Sequence, residues 1–199
     1  GEIAERLALP KSGAHRLLAT LVEHGWAAQD PGTGFYRLTM RLSVLGHRFY
    51  VGSGVPDVCQ PLLDRLALDC REFARLAVVD GSALVWIAHA QGATTGLVYQ
   101  PADTMGNVPL YATASGKAWL ATLPTEEAIG LVMHDGGFQH VSRYGPNVIG
   151  STEALLRDLR TTARRGWGLA LNEAEPGVTA IGVAIRSGPI LATLSLPST

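Results

Sequence analysis

Leu9-Pro10 is the feature that most limits what this chain can become. Proline ends the amphipathic run Glu2–Leu9 (EIAERLAL), in which Ile3 and Leu7, and Ala4 and Ala8, fall on neighbouring helical turns. Lys11-Ser12 then open a second helix, SGAHRLLATLVEHG. Leu17, Leu18, Leu21 and Val22 recur there at three and four, and Gly25 closes it. Two helices across so short a turn have helix-turn-helix spacing. Trp26–Gln29 and Phe35–Leu38 flank the turn Asp30-Pro31-Gly32-Thr33-Gly34 and read as a hairpin. Helix, turn, helix, hairpin is a winged helix.

A recognition helix enters the major groove with its first residues toward the base edges. Here these are Lys11, Ser12, Gly13, Ala14, His15 and Arg16. Lys and Arg bond guanine or phosphate, Ser bonds either, and the small Gly13 and Ala14 allow close approach. Arg37 on the wing can reach phosphate or the minor groove. Charge agrees with a polyanion partner for this part only. Residues 1–50 hold six Lys/Arg against four Asp/Glu, whereas residues 51–199 hold ten against thirteen. The competing reading is a winged helix used for protein contacts.

Thr39–Val51 (TMRLSVLGHRFYV) reads as a helix too apolar for a free linker, suited to packing on a second subunit. A small winged helix reads one half-site, and a dimer supplies the other. Gly52-Ser53-Gly54 is a flexible joint. Beyond it, Asp57–Arg71 reads as a helix. Ala74–Val79 and Ala83–Ala90 read as a hairpin about Asp80-Gly81, and Gly96–Tyr99 as a third strand. Helices are expected at Lys117–Ala121, from a Thr125 cap, and from Ser151 to Gly166, with a loop over Gly136–Gly150. Trp167–Asn172, Val178–Arg186 and Ile190–Leu196 complete a β-β-β, helices, β-β-β order. That order implies an α+β fold with one mostly antiparallel sheet and helices beside it. The domains expected are 1–38 (winged helix), 39–54 (connecting helix and linker) and 55–199.

The second domain is organised around Pro109–Pro124, PLYATASGKAWLATLP. Thr113 and Ser115 both suit an N-cap, and a helix start attracts carboxylates and phosphates. The stretch is either the floor of a pocket for a small anion or a capped core helix with nothing bound. It is no nucleotide-binding P-loop, because Tyr111 and Ala118 stand where that motif needs glycine and Ser/Thr.

Enzymatic readings find little support. The six histidines form no H-E-x-x-H or triad-like cluster, and no serine sits in a G-x-S-x-G turn. His134-Asp135 with His140 is a loop before it is a metal site. Glu173 and Glu175 read as a solvated approach to a turn. Cys59 and Cys70 lie about three turns apart on one helix and cannot bridge each other. Idle thiols, with no targeting segment or apolar run of membrane length, point to the cytoplasm. No cofactor, metal or catalytic residue is expected.

Three segments, LPKSGAHRLLATLVEHGW, PLYATASGKAWLATLP and LLRDLRTTARRGWGLALNEAEPGVTAIGVAIR, together resemble the IclR family of bacterial transcription regulators, in the family's order and over nearly the whole chain. The resemblance implies a winged helix, a connecting helix and a GAF-like effector domain. It also implies a repressor or activator that binds operator DNA as a dimer or tetramer under control of a small organic or aromatic acid. The DNA contacts would be Lys11, Ser12, Gly13, His15, Arg16 and Arg37. On the family's pattern Ala114 and Ser115 would offer backbone N–H groups to a carboxylate, with Leu97, Asn172, Ala180 and Ser195 around the same space. Local reasoning adds Tyr99, Tyr111 and Trp119 as core or rim. The family's first and terminal helices are expected to be missing here, and Asn172 and Ala180 are milder than the Asp and Cys of some members. The alternative is a GAF-like sensor acting through protein partners.

Overall fold

The structure, a computed structural model, describes residues 1–95, 98–101, 105–188 and 190–198. The chain forms two compact units, Gly1–Gly54 and Val55–Thr199.

In the first unit α1 (Glu2–Arg6) and α2 (Lys11–Glu23) are separated by the break at Pro10, which is the N-cap of α2. Ala4 and Ala14 are buried. Burial of Ala14 corrects one expectation: its methyl packs inward and does not thin the outer face of the helix. Of the apolar stripe on α2, Leu17 and Val22 stay exposed, because so short a unit has little surface to lay over them. Strands β1 (Ala27–Gln29) and β2 (Tyr36–Leu38) pair antiparallel, with Ala28 opposite Arg37. Asp30 shapes the wing tip. Its Oδ1 accepts from the Gly32 and Thr33 backbone N–H groups (2.9 and 2.7 Å) and from the Thr33 hydroxyl (2.9 Å). These bonds, the Thr33 backbone bond foremost, hold its carboxyl below the ordinary range. The next helix, α3 (Arg41–Gly52), is tied back by Thr39 Oγ1 donating to Gly25 O (2.7 Å) and by Arg41 donating to His24 O. Its Leu42, Val44, Leu45, Phe49 and Val51 are exposed.

The second unit is a six-stranded antiparallel sheet in the order β5-β4-β3-β8-β7-β6. The strands are β3 (Phe73–Asp80), β4 (Ala83–Gln91), β5 (Gly106–Asn107), β6 (Gly168–Leu171), β7 (Thr179–Ser187) and β8 (Ile190–Ser198). Side chains alternate between two faces. Ala74, Leu76, Ala88, Ala90 and Ala192 pack with Leu63 and Ala67 of α4 (Val55–Cys70). α4 runs through Pro61 and carries both free cysteines. The opposite face, with Ala77, Leu84 and Trp86, packs against the segment Val108–Ala112 and three helices: α5 (Ala114–Leu120), α6 (Thr125–His134) and α7 (Thr152–Arg165).

Several local expectations need correction. α5 begins at Ala114, not Lys117, because Thr113 is the N-cap: its Oγ1 accepts the Gly116 N–H at 3.0 Å. The N-cap of α6 is Pro124, with no side-chain bond, so Thr125 is its first residue and not its cap. The third strand expected at Gly96–Tyr99 is not found at Val98 and Tyr99, while Gly96 and Leu97 lie outside the described residues. The partner of β4 on that side is β5, through Val85–Asn107 and Trp86–Gly106. Ser151 does cap α7, accepting the Ala154 N–H, and Gly166 (φ 81°) ends it.

Candidate functional site

At the start of α2, Lys11, Ser12, His15 and Arg16 are exposed and Gly13 is half-buried. Arg37 is exposed on the wing strand. Every side chain singled out here for DNA, glycine aside, is therefore open to solvent, while Ala14 behind them is buried.

In the second unit α5 is pressed onto the sheet at two glycines. A Cβ on Gly168 would sit 2.2 Å from Ala114 O. One on Gly182 would sit 2.8 Å from the Ala114 carbonyl carbon and 2.9 Å from Ser115 N. A third close approach is Gly116, where a Cβ would meet Leu110 O at 2.2 Å. No ligand fits between the ATASG backbone and β7. Any bound molecule on this face must lie beside that contact, toward β8 and β3.

Strand register shows what stands there. Arg75 of β3 pairs with Ser195 of β8, and Ser195 with Gly182 of β7. One step along the same face, Trp86 pairs with Ala77, Ala77 with Thr193, and Thr193 with Ala184. Arg75 is 5% exposed, Ser195 6%, Ser115 1% and Thr193 0%. The Arg75 guanidinium lies 3.6 Å from the centroid of the Trp86 ring and 5.7 Å from that of Phe73. Phe73 also stacks on His89 at 5.5 Å and meets Tyr99 edge-on at 5.7 Å. Tyr99 donates to Glu175 Oε1 at 2.7 Å, and burial with that carboxylate pushes its phenol above the ordinary value. Ser115 Oγ, Thr193 Oγ1, Trp86 Nε1 and Trp119 Nε1 are buried with no hydrogen-bond partner among the described residues.

The other expected residues separate. Ala180 is half-buried on the same face and pairs with Ala170 and Pro197, one step from Gly182. Asn172 is in the β6–β7 turn at φ 58°, and its Oδ1 accepts the Gly177 N–H at 2.5 Å. Its side chain is thus engaged in the turn. Leu97 lies outside the described residues. Tyr111 and Trp119 are buried core, and Tyr111 packs edge-on against Phe138 and Tyr144. Burial, with Tyr144 and Asp135 nearby, pushes the Tyr111 phenol up to about 12.

Two findings were not anticipated. Lys117 is 0% exposed. Its Nζ donates to both oxygens of Glu173 (2.7 and 2.6 Å) and to Leu169 O (3.0 Å), with Asp158 of α7 at 3.5 Å. Glu173 is 8% exposed and Glu175 half-buried, so neither is a solvated residue before a turn. Burial raises the Glu173 carboxyl despite Lys117. Arg75 is the second, and its signal was present: a lone charge inside an otherwise apolar strand, FARLAVV.

Among the described residues no helix is long and apolar enough to cross a membrane, and no group of three or more His, Cys, Asp or Glu could hold a metal. Comparison with known proteins points one way. Residues 50–199 match the family described as bacterial transcriptional regulator IclR C-terminal, and residues 1–31 match the IclR helix-turn-helix domain. The HTH-type transcriptional regulator XynR of Escherichia coli is 32% identical over 198 residues, covering 98% of this chain and 76% of that protein. The acetate operon repressor of Salmonella typhimurium is 28% identical, covering 92% and 66%. An IclR homolog from Microbacterium hydrocarbonoxydans, solved with 4-hydroxybenzoate, superposes with a TM-score of 0.72 at 30% identity, covering 98% of this chain and 79% of that one. An IclR-family regulator from Brucella abortus superposes at 0.76 with 23% identity, covering 99% and 72%. The chain belongs to the IclR family of bacterial transcriptional regulators, DNA-binding proteins with an effector-binding domain, and is not an enzyme.

Proposed function

We propose that this regulator reads its operator with the first turn of α2 and is controlled by a small organic or aromatic acid bound in its second unit. Residues 1–38 are the DNA-binding domain, 39–54 the connecting helix and linker, and 55–199 the effector domain. Lys11, Ser12, Gly13, His15 and Arg16 meet the major groove, and Arg37 meets the phosphate backbone or the minor groove. The observation that carries this reading is the exposed polar edge of α2, Lys11-Ser12 and His15-Arg16, around a buried Ala14. The apolar outer face of α3 supports association with a second copy, which gives two half-sites. The protein works in the cytoplasm without a cofactor.

The ligand of the Microbacterium hydrocarbonoxydans relative, 4-hydroxybenzoate, supports an acid effector. Effector binding beside the start of α5 shifts the sheet and the connecting helix, and so changes the spacing of two winged helices. Coupling of this kind changes DNA affinity roughly 5- to 150-fold, equivalent to about 1–3 kcal/mol.

The test is binding of the full protein to DNA upstream of its own gene across a salt series. Arg16→Ala should weaken binding with no loss of thermal stability, and affinity should fall steeply with salt as counterions are released. Unchanged affinity of Arg16→Ala would remove α2 from the groove. Salt-independent binding would remove DNA as the partner.

A further inference from the structure

We propose that the outer faces of α6 and α7 pair with the same faces of a second copy of this chain about a two-fold axis. An interface of this kind must be self-complementary, because each patch meets its own duplicate. The α6–α7 face meets that condition. Arg157, Arg160 and Arg164 are exposed and recur at three and four along α7, which sets them in one stripe. Glu126 and Glu127 are exposed in the first turn of α6. Between the two helices runs a groove of about 260 Å³, with Leu120, Leu123, Leu156 and Leu159 in its lining, Thr125 on the α6 side and Arg160 on the α7 side. One apolar groove is therefore bordered by carboxylates on one helix and by guanidinium groups on the other.

These charges are not used up within the chain. Among the described residues the side chains of Glu126, Glu127 and Arg164 make no hydrogen bond or ion pair, and Arg160 donates only through Nε, to Leu156 O at 3.1 Å. Arg157 alone has a carboxylate, Glu153 of its own helix. The signs decide the partner. DNA would satisfy the arginines and be repelled by the two glutamates, and so would a wholly acidic protein. A second copy turned about a two-fold axis sets Glu126 and Glu127 against Arg160 and Arg164 twice over. Exposed ion pairs contribute little one by one, so the groove matters as well. It receives the apolar stem of Arg160 from the opposing copy while the charged head reaches the α6 carboxylates. Other registers bring like charges together, so the pairs also fix the orientation. The face belongs to the second unit and α3 to the first, so either contact can be removed without touching the other.

The experiment is sedimentation equilibrium of the full chain over a concentration and salt series. Wild type should reach double the mass of Arg160→Glu/Arg164→Glu, and salt should weaken the association as the exposed pairs are screened. Glu126→Arg/Glu127→Arg should fail to double in the same way, each reversal weakening the step by roughly a hundredfold or more. An equimolar mixture of the two variants should double again, because every like-charge contact becomes an opposite one in the mixed pair. Substitutions that merely damaged the fold would leave the mixture undoubled. Phe49→Glu on α3 separates this contact from the one proposed above. It should halve the mass of wild type and of Arg160→Glu/Arg164→Glu alike and leave the ratio between them unchanged. A wild type no heavier than Arg160→Glu/Arg164→Glu overturns the proposal, and so does a mixture that does not pair. Should either double variant melt below wild type, the single reversals Arg164→Glu and Glu127→Arg, alone and mixed, decide in the same way.

Discussion

Replacing Lys117 with methionine tests how the effector domain is held together. Lys117 Nζ is enclosed by both Glu173 oxygens, Leu169 O and Asp158, and its side chain has no exposed surface. Methionine fills the stem but removes the charge, leaving Glu173, whose side chain is 10% exposed, with a weak bond from the Leu171 N–H at 3.3 Å. Breaking a buried ion pair from one side costs about 3–5 kcal/mol, because the remaining charge is stranded. For a unit of this size that lowers the melting midpoint by roughly 10 °C.

The loss should depend on pH, in a direction that follows from Glu173. Burial already raises its folded-state carboxyl above the ordinary 4.5, and Lys117 is the main influence lowering it. Without Lys117 it rises further. Between 4.5 and that raised value the folded state binds a proton that the unfolded state has lost, so stability falls as pH rises through the window. Urea unfolding of Lys117→Met should therefore show a larger deficit at pH 7.5 than at pH 5. Tryptophan fluorescence is the readout, since Trp86, Trp119 and Trp167 all report from this unit. Adding Glu173→Gln should recover at least half of the deficit and flatten its pH dependence. A Lys117→Met protein as stable as wild type at pH 7.5, or one that loses more at pH 5, would falsify the ion-pair argument.

Further substitutions test the packing and the turns, each read by urea unfolding. Gly168→Ala places a methyl 2.2 Å from Ala114 O, backbone that cannot yield, and should cost at least ~3 kcal/mol. Gly130→Ala on α6 meets nothing within 4 Å and should add up to about 1 kcal/mol of helix propensity. Asn172→Ala loses the bond to Gly177 and forces alanine to φ 58°, for about 2 kcal/mol, while Asn172→Gly should lose only the bond.

The elements themselves were largely legible because their signals are local. Leu9-Pro10, Ser151, Gly166 and the Asp30–Gly34 turn each act within a few residues. The errors arose where a local rule competed with a non-local partner. Thr125 has the side chain of a cap, yet Pro124 already supplies the helix-entering geometry. Gly96–Tyr99 has a strand-like composition, but the partner of β4 comes from Gly106–Asn107. Ala14 sits among residues chosen for DNA, yet its position in the helix turns it inward.

The site was less legible for a related reason. Lys117 and Glu173 are 56 residues apart, and each looks solvated in its own neighbourhood: a lysine in a short helix, a glutamate before a proline-glycine turn. Only the close approach of α5 to β6 and β7 brings them together, and that approach depends on Gly168 and Gly182, whose missing side chains leave no periodic mark. Arg75 differs in kind. A charge inside FARLAVV breaks a pattern visible in the sequence itself. What that pattern cannot supply is the partner: Trp86 stacks on Arg75 because the pairing slips at Leu76/Ala77, setting Trp86 opposite Ala77. A regular register would have set Ile87 there. The bulge therefore determines which side chain covers the guanidinium.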